Sequence, residues 1–119
     1  MEIKAPPIDI DIPFEVKPKI IAVDCDGTLT TSIAWTEEEM RNAIPRTEVI
    51  EKVNELYKRN FVVIHTARRH AFYEVTIDWL KRNNVRYHSI RMGKLPADLY
   101  IDDKCINVED IVKDSRNLD

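Results

Sequence analysis

Lys19-Ile20-Ile21-Ala22-Val23-Asp24-Cys25-Asp26-Gly27-Thr28 joins a short apolar run to an acidic turn. The run shows little alternation, which is how a strand buried on both faces reads. Its polar groups, Asp24 and Asp26, stand two apart at its C-terminal end. Gly27 follows them directly and is one of only two glycines in the chain, the other being Gly93. A residue used so sparingly marks backbone that a side chain disfavours.

Downstream, residues 29–44 are mixed, with Trp35 and Met40 as apolar anchors and Glu37, Glu38 and Glu39 as a charged run. They read as a flap with one helical turn. Val49, Ile50, Val53, Leu56 and Tyr57 then recur on one face of a 3.6-residue period, which predicts a helix over 46–60. Pro45 suits its first turn, and Asn60 suits a left-handed C-terminal position. Phe61–Ile64 is a second continuous apolar strand, ending at His65-Thr66-Ala67-Arg68-Arg69. Phe72, Val75, Trp79 and Leu80 make the inner face of a helix over 71–83, stopped by Asn84. Val85–Ile90 and Leu99-Tyr100-Ile101 read as further strands, the latter ending at Asp102-Asp103. Asn107 and Asp110 favour the start of a last short helix. Upstream, prolines at 6, 7 and 13 and the alternation of Ile8, Ile10 and Ile12 with Asp9 and Asp11 make residues 1–17 an extended arm. The domain proper is 18–119.

This alternation of strands and helices predicts an α/β fold, a Rossmann-like three-layer sandwich with a mainly parallel sheet. In such sheets ligands sit beyond the carboxyl ends of the strands, where strand order reverses. Three apolar strands end in polar clusters: Asp24/Asp26, Thr66/Arg68 and Asp102/Asp103. Parallel strands would bring all three to one edge.

Composition narrows the classes. The chain has 119 residues, 44 % apolar and 33 % charged, which suits one globular domain. A formal net charge of −3 argues against coating nucleic acid through bulk charge. Residues 68–94 carry seven basic residues against Glu74 and Asp78, a net +5, so a local nucleic-acid contact stays open. Two cysteines are too few for a disulfide scaffold and fit a reducing compartment. There is no apolar run of about 18 residues to span a membrane, and the acidic start lacks a secretory h-region. The expected address is the cytoplasm.

Four carboxylates at one edge repel one another and call for a positive partner. An oxygen-ligating divalent cation is the natural one, and Mg²⁺ is typically held by one or two carboxylates plus water and phosphate oxygens. Lys94 adds fixed positive charge, Thr66 a hydroxyl, and the turn at Gly27 backbone amides. Together these suit a phosphoryl group, and an aspartate can serve as its nucleophile.

Asp24-Cys25-Asp26-Gly27-Thr28-Leu29-Thr30 after an apolar strand resembles motif I, DxDGT(L/V)(T/S), of the haloacid-dehalogenase-like (HAD) hydrolase superfamily. Ile64-His65-Thr66 resembles motif II, Lys94 matches motif III, and Tyr100-Ile101-Asp102-Asp103 looks like motif IV. The ordered set spans residues 20–103, about 70 % of the chain. The small size and the stretch Ile101-Asp102-Asp103-Lys104 are similar to capless capsule-biosynthesis-type phosphatases. The resemblance implies an HAD-like core without a cap domain and a Mg²⁺-dependent phosphomonoester phosphatase. Asp24 would be nucleophile and metal ligand. Asp26 would be general acid–base, with its backbone carbonyl on the metal. Thr66 would hold a phosphoryl oxygen, Lys94 would neutralise charge, and Asp102 and Asp103 would hold Mg²⁺. Metal contact would keep Asp24 charged, while Asp26 would be the more solvated of the two. Gly27 and Thr28 would meet the substrate.

Arg68 and Arg69 are candidates to clamp a second anionic group of the substrate. Cys25 reads as packing beneath the motif and Cys105 as core or helix packing. His65 borders motif II, and Trp35 could stack on a substrate ring or simply pack. The leading substrate is a small phosphorylated metabolite such as a sugar phosphate. The alternatives are a polynucleotide 3′-phosphatase and a non-catalytic scaffold, though no catalytic residue is missing. A receiver domain gathers similar residues in a different order. An exposed active site and an apolar arm together suggest a homo-oligomer in which the arm or a neighbour shields the site.

Overall fold

The computed structural model describes residues 17–113 of the chain. The extended arm expected over 1–17 therefore lies outside the described residues except for Lys17. Three strands, β1 (Ile20–Val23), β2 (Phe61–His65) and β3 (Ser89–Arg91), form a sheet in the order β1-β2-β3. Both pairings are parallel, with Ile20 opposite Phe61 and Val63 opposite Ser89. Between them run α1 (Glu37–Arg41), α2 (Thr47–Tyr57) and α3 (Tyr73–Arg82), with α4 (Val108–Ile111) near the end. A parallel sheet flanked by helices is the Rossmann-like α/β arrangement. Strand order does not reverse among the described strands, so the site is placed by strand ends alone.

The core lies on the sheet face carrying Val23, Val62 and Ile64, where Val49, Ile50 and Val53 of α2 meet Trp79 and Leu80 of α3. The alternate positions Ile20 and Ala22 are exposed. Ala34, Met40 and Val75 form a second cluster that joins α1 to α3. Trp79 is buried, and its indole Nε1–H donates to the Ala43 carbonyl at 2.9 Å, satisfying the ring's one polar atom. The flap over 29–44 holds its one short helix as expected, started by a capping box between Thr36 and Glu39. Its two ends are stapled together: Thr30 bridges Pro45, Thr31 N–H donates to Ile44 O at 2.9 Å, and Arg46 N–H to Leu29 O at 2.8 Å. Met40 is an anchor, but Trp35 is 77 % exposed and is not.

Several expectations are corrected. The helix starts at Thr47 after Arg46, so Pro45 belongs to the staple and not to the first turn. Asn60 is buried instead of left-handed; its side chain accepts from Lys19 N–H and donates to Leu56 O, both at 3.1 Å. The left-handed position falls to Asn84, at φ +56° after α3. The strand expected over 85–90 shrinks to Ser89–Arg91. Val85 N–H closes onto Leu80 O, and Arg86 N–H is taken by the Asn54 side chain.

The largest departure is Leu99–Ile101, which forms no strand and leaves Leu99 74 % and Ile101 93 % exposed. The chain folds back locally just before it. Ala97 N–H donates to Leu95 O at 2.9 Å, and the Tyr100 hydroxyl donates to the same carbonyl. A three-residue apolar run takes its structure from such tertiary context rather than from its own pattern. Cys105 is exposed, so it packs in neither core nor helix.

Candidate active site

The turn after β1 is built around one carbonyl. Cys25 O accepts from Thr28 N–H at 3.1 Å, Leu29 N–H at 2.8 Å and Thr30 N–H at 3.2 Å. Gly27 N–H donates to Thr30 Oγ1 at 3.0 Å, and that hydroxyl donates to Ser32 O at 2.7 Å. Gly27 has φ +76°, which a side chain would strain, while a Cβ there would meet nothing closer than Ile33 at 3.9 Å. The Gly27 and Thr28 amides expected to face substrate are thus turned inward, onto the turn itself.

Asp24 ends β1 with two partners. Cys25 N–H donates to one carboxylate oxygen at 2.8 Å, and Lys94 Nζ stands 3.9 Å from the other. Burial pushes its carboxyl above the usual carboxylate range; the Cys25 amide, Lys94 and His65 pull it down, and Asp26 pushes it up. Lys94 also lies over the Tyr100 ring, 4.4 Å from its centroid. The lysine's backbone is pinned by its N–H to Thr66 O at 2.9 Å.

Asp26 points elsewhere. Arg68 grips both its oxygens, Nη2 to Oδ1 at 2.7 Å and Nε to Oδ2 at 2.9 Å. Its side chain is 15 % exposed against 37 % for Asp24, so the expectation that Asp26 is the more solvated carboxylate is reversed. The buried guanidinium turned onto Asp26 accounts for this. Arg68, expected to clamp substrate, is engaged within the protein, whereas Arg69 is exposed. Thr66 is buried, with its Oγ1 accepting from Arg68 N–H at 3.1 Å and its N–H donating to Arg91 O at 3.0 Å.

Asp102 and Asp103 lie in the exposed segment after Tyr100. Lys104 N–H donates to Asp102 Oδ1 at 2.9 Å and, with Asp103, holds the Asp102 carboxyl below the usual range. Among the described residues no three acidic, histidine or cysteine side chains come together as a metal-holding group. The set of Asp24, Asp26, Asp102 and Asp103 expected for Mg²⁺ is therefore not assembled in this arrangement. At the end of β1 Asp24 is the more exposed carboxylate, at 37 %, and Asp26 is held by Arg68.

Among solved structures, the chain is similar to the crystal structure of an MCSG target from Vibrio cholerae, with 33 % identity and a TM-score of 0.69. The match covers 84 % of this chain and 90 % of that one. The chain belongs to that protein's family. Two chains from structures of the Pnkp1/Rnl/Hen1 complex, one described as an RNA repair complex, share the fold at 16 % and 18 % identity, with TM-scores of 0.53 and 0.56. There the matched part is 34 % and 41 % of the longer chain, against 92 % and 97 % of this one. No family model and no curated protein matches the sequence. No described helix is long and apolar enough to cross a membrane.

Two residues at the site escape sequence reading. Thr76 falls on the apolar stripe of α3 between Val75 and Trp79, and its Oγ1 accepts from Arg68 Nη1 at 2.9 Å. A hydroxyl within a buried stripe was the available signal, since a buried polar group needs a partner. The other is Tyr100, whose ring meets the Lys94 ammonium, and nothing in the sequence marks that contact.

Proposed function

We propose that this family member is an HAD-like phosphomonoester phosphatase working through an aspartyl-phosphate, with a small phosphorylated metabolite such as a sugar phosphate as substrate. One observation carries the reading. Asp24, at the carboxyl end of β1, has an amide on one oxygen and the Lys94 ammonium near the other, with Asp26 two residues on. An oxygen of Asp24 attacks phosphorus as the ester P–O bond breaks, and the departing oxygen takes a proton from Asp26. Water then attacks the aspartyl-phosphate, giving its proton to Asp26 and releasing phosphate and free Asp24. Lys94 offsets negative charge in both steps. Added positive charge at Asp24 is what Mg²⁺ supplies when bound. Mg²⁺ dependence is part of the proposal even though Asp102 and Asp103 are not gathered at Asp24.

A second reading, phosphate removal from polynucleotide 3′ ends, draws on the basic 68–94 segment and on the fold shared with chains of an RNA repair complex. The net charge of −3, and the lack of an aromatic stacking row among the described residues, weigh against it. A reducing, cytoplasmic setting and a shielding homo-oligomer complete the proposal, and a monomeric mass by light scattering removes the latter.

The test is phosphate release from p-nitrophenyl phosphate, sugar phosphates, nucleotides and a 3′-phosphate oligonucleotide, with Mg²⁺ and with chelator. Metal-dependent release that vanishes in Asp24→Asn supports the phosphatase, and the best substrate chooses between the two readings. No release from any substrate by folded protein points instead to a non-catalytic scaffold.

A further inference from the structure

We propose that Arg68 does not grip the substrate but is the positioning residue that aims Asp26 for proton transfer, with Thr76 of α3 as its anchor. This rests on the phosphatase reading above and deepens it. A clamp for a substrate anion must present free N–H groups to the cleft. The Arg68 side chain is 1 % exposed. Nε and Nη2 make a two-pronged contact to the Asp26 carboxylate, at 2.9 and 2.7 Å, and Nη1 donates to Thr76 Oγ1 at 2.9 Å. All three guanidinium nitrogens are engaged inside the protein.

The mount is fixed from behind as well. Arg68 N–H donates to Thr66 Oγ1 at 3.1 Å, and Arg68 O accepts from Gly93 N–H at 2.9 Å, next to Lys94. Thr76 Oγ1 spends its one proton on Phe72 O at 2.7 Å, so its lone pairs face Arg68. The planar fork therefore leaves Asp26 one orientation, with a second lone pair on each oxygen still available to a leaving group or a water. Lysine cannot reproduce this, because a single ammonium has no fixed fork. The arrangement links the first turn of α3 to the carboxylate that moves protons.

The test uses Arg68→Lys, Thr76→Val and Thr76→Ser in the full chain, with kcat and KM measured separately. Three probes are used: p-nitrophenyl phosphate, a singly phosphorylated alkyl alcohol, and an alkyl bisphosphate. The alkoxide leaving groups need the Asp26 proton, whereas p-nitrophenolate departs without one. Arg68→Lys and Thr76→Val are expected to lower kcat on both alkyl substrates by about 10–100-fold, a part of what acid–base catalysis supplies. KM should stay within about twofold, and first-turnover release of p-nitrophenolate should change much less. Thr76→Ser, which keeps the hydroxyl, should restore kcat. If Arg68→Lys does not fold by thermal melting, Thr76→Val decides alone. A rise in KM confined to the bisphosphate, with kcat kept, would make Arg68 a clamp and overturn the proposal. Unchanged kinetics in folded variants would reduce the pair to structure and overturn it too. An inactive wild type overturns the phosphatase reading itself, and this inference with it, which is distinct from an active wild type with indifferent variants.

Discussion

Lys94 Nζ lies 3.9 Å from one oxygen of Asp24 while the Cys25 amide holds the other at 2.8 Å, yet burial still leaves that carboxyl harder to ionise than usual. A folded state that favours the protonated form binds the proton more tightly than the unfolded chain does. The stability this provides is full below the unfolded value, near 3.8, and is lost as pH rises through the higher folded value. At pH 7 Asp24 thus carries a cost that a neutral residue avoids. Asp24→Asn should melt above wild type at neutral pH, with the gap closing under acid, while phosphate release falls on the order of 10⁴-fold or more. Melting curves across pH check the first part; a variant melting below wild type at pH 7 contradicts it.

His88 gives the opposite sign. Its Nδ1 accepts from Val62 N–H at 3.0 Å, and its ring stacks on Tyr57 and Phe61, 4.2 and 5.0 Å between centroids. The remaining Nε2 is buried without a partner. Burial holds the ring below its ordinary value of 6.5, so the native state keeps it neutral. Stability from this source is present above 6.5 and drains away as pH falls through the folded value. Urea titrations between neutral and mildly acid pH should show the decline. His88→Asn, which keeps an acceptor for Val62, should flatten it.

The two cysteines should differ sharply toward alkylating agents. Cys25 is fully buried and its thiol is pushed up to about 12, so almost no thiolate forms near neutral pH. Cys105 is exposed. Iodoacetamide at mildly alkaline pH should modify Cys105 alone in the native protein and both in denaturant. Peptide mass mapping reads this directly, and early labelling of Cys25 would mean that the motif turn opens readily.

Asn60 joins the chain entering β1 to the end of α2 through Lys19 and Leu56. Asn60→Ala leaves buried partners unsatisfied and should cost about 1–3 kcal/mol. Asn60→Asp should not rescue it, because the carboxylate cannot donate to the Leu56 carbonyl. Denaturant midpoints test both.

The fold was legible where periodicity was long. The α2 stripe and the apolar runs at 20–23 and 61–64 announced a parallel α/β sheet, and the acidic turn fell at a strand end as its position implied. Lys94 was tied to Asp24 in advance only by the resemblance to motif III; charge alone called for a positive partner without naming which aspartate it would meet. Asp26 and Arg68 could not be paired in advance, since nothing in the sequence says which way a guanidinium turns, inward or toward a ligand. Leu99–Ile101 shows the other limit. Three apolar residues, bounded by Asp98 and Asp102, carry too little pattern to outweigh local bonds at Leu95 and Tyr100. Asn60 and Asn84 are chemically alike, and backbone context alone gave the left-handed position to Asn84.

The staple at Thr30 and Pro45 gives the flap a single root. Chain leaves and re-enters the body at adjacent points, while the turn bearing Asp24 and Asp26 is folded by its own contacts to Cys25 O. A graft at this junction therefore has its ends already joined, but it must replace what the flap gives the body: the packing of Ala34 and Met40 on Val75, and the Ala43 carbonyl that takes the Trp79 indole N–H.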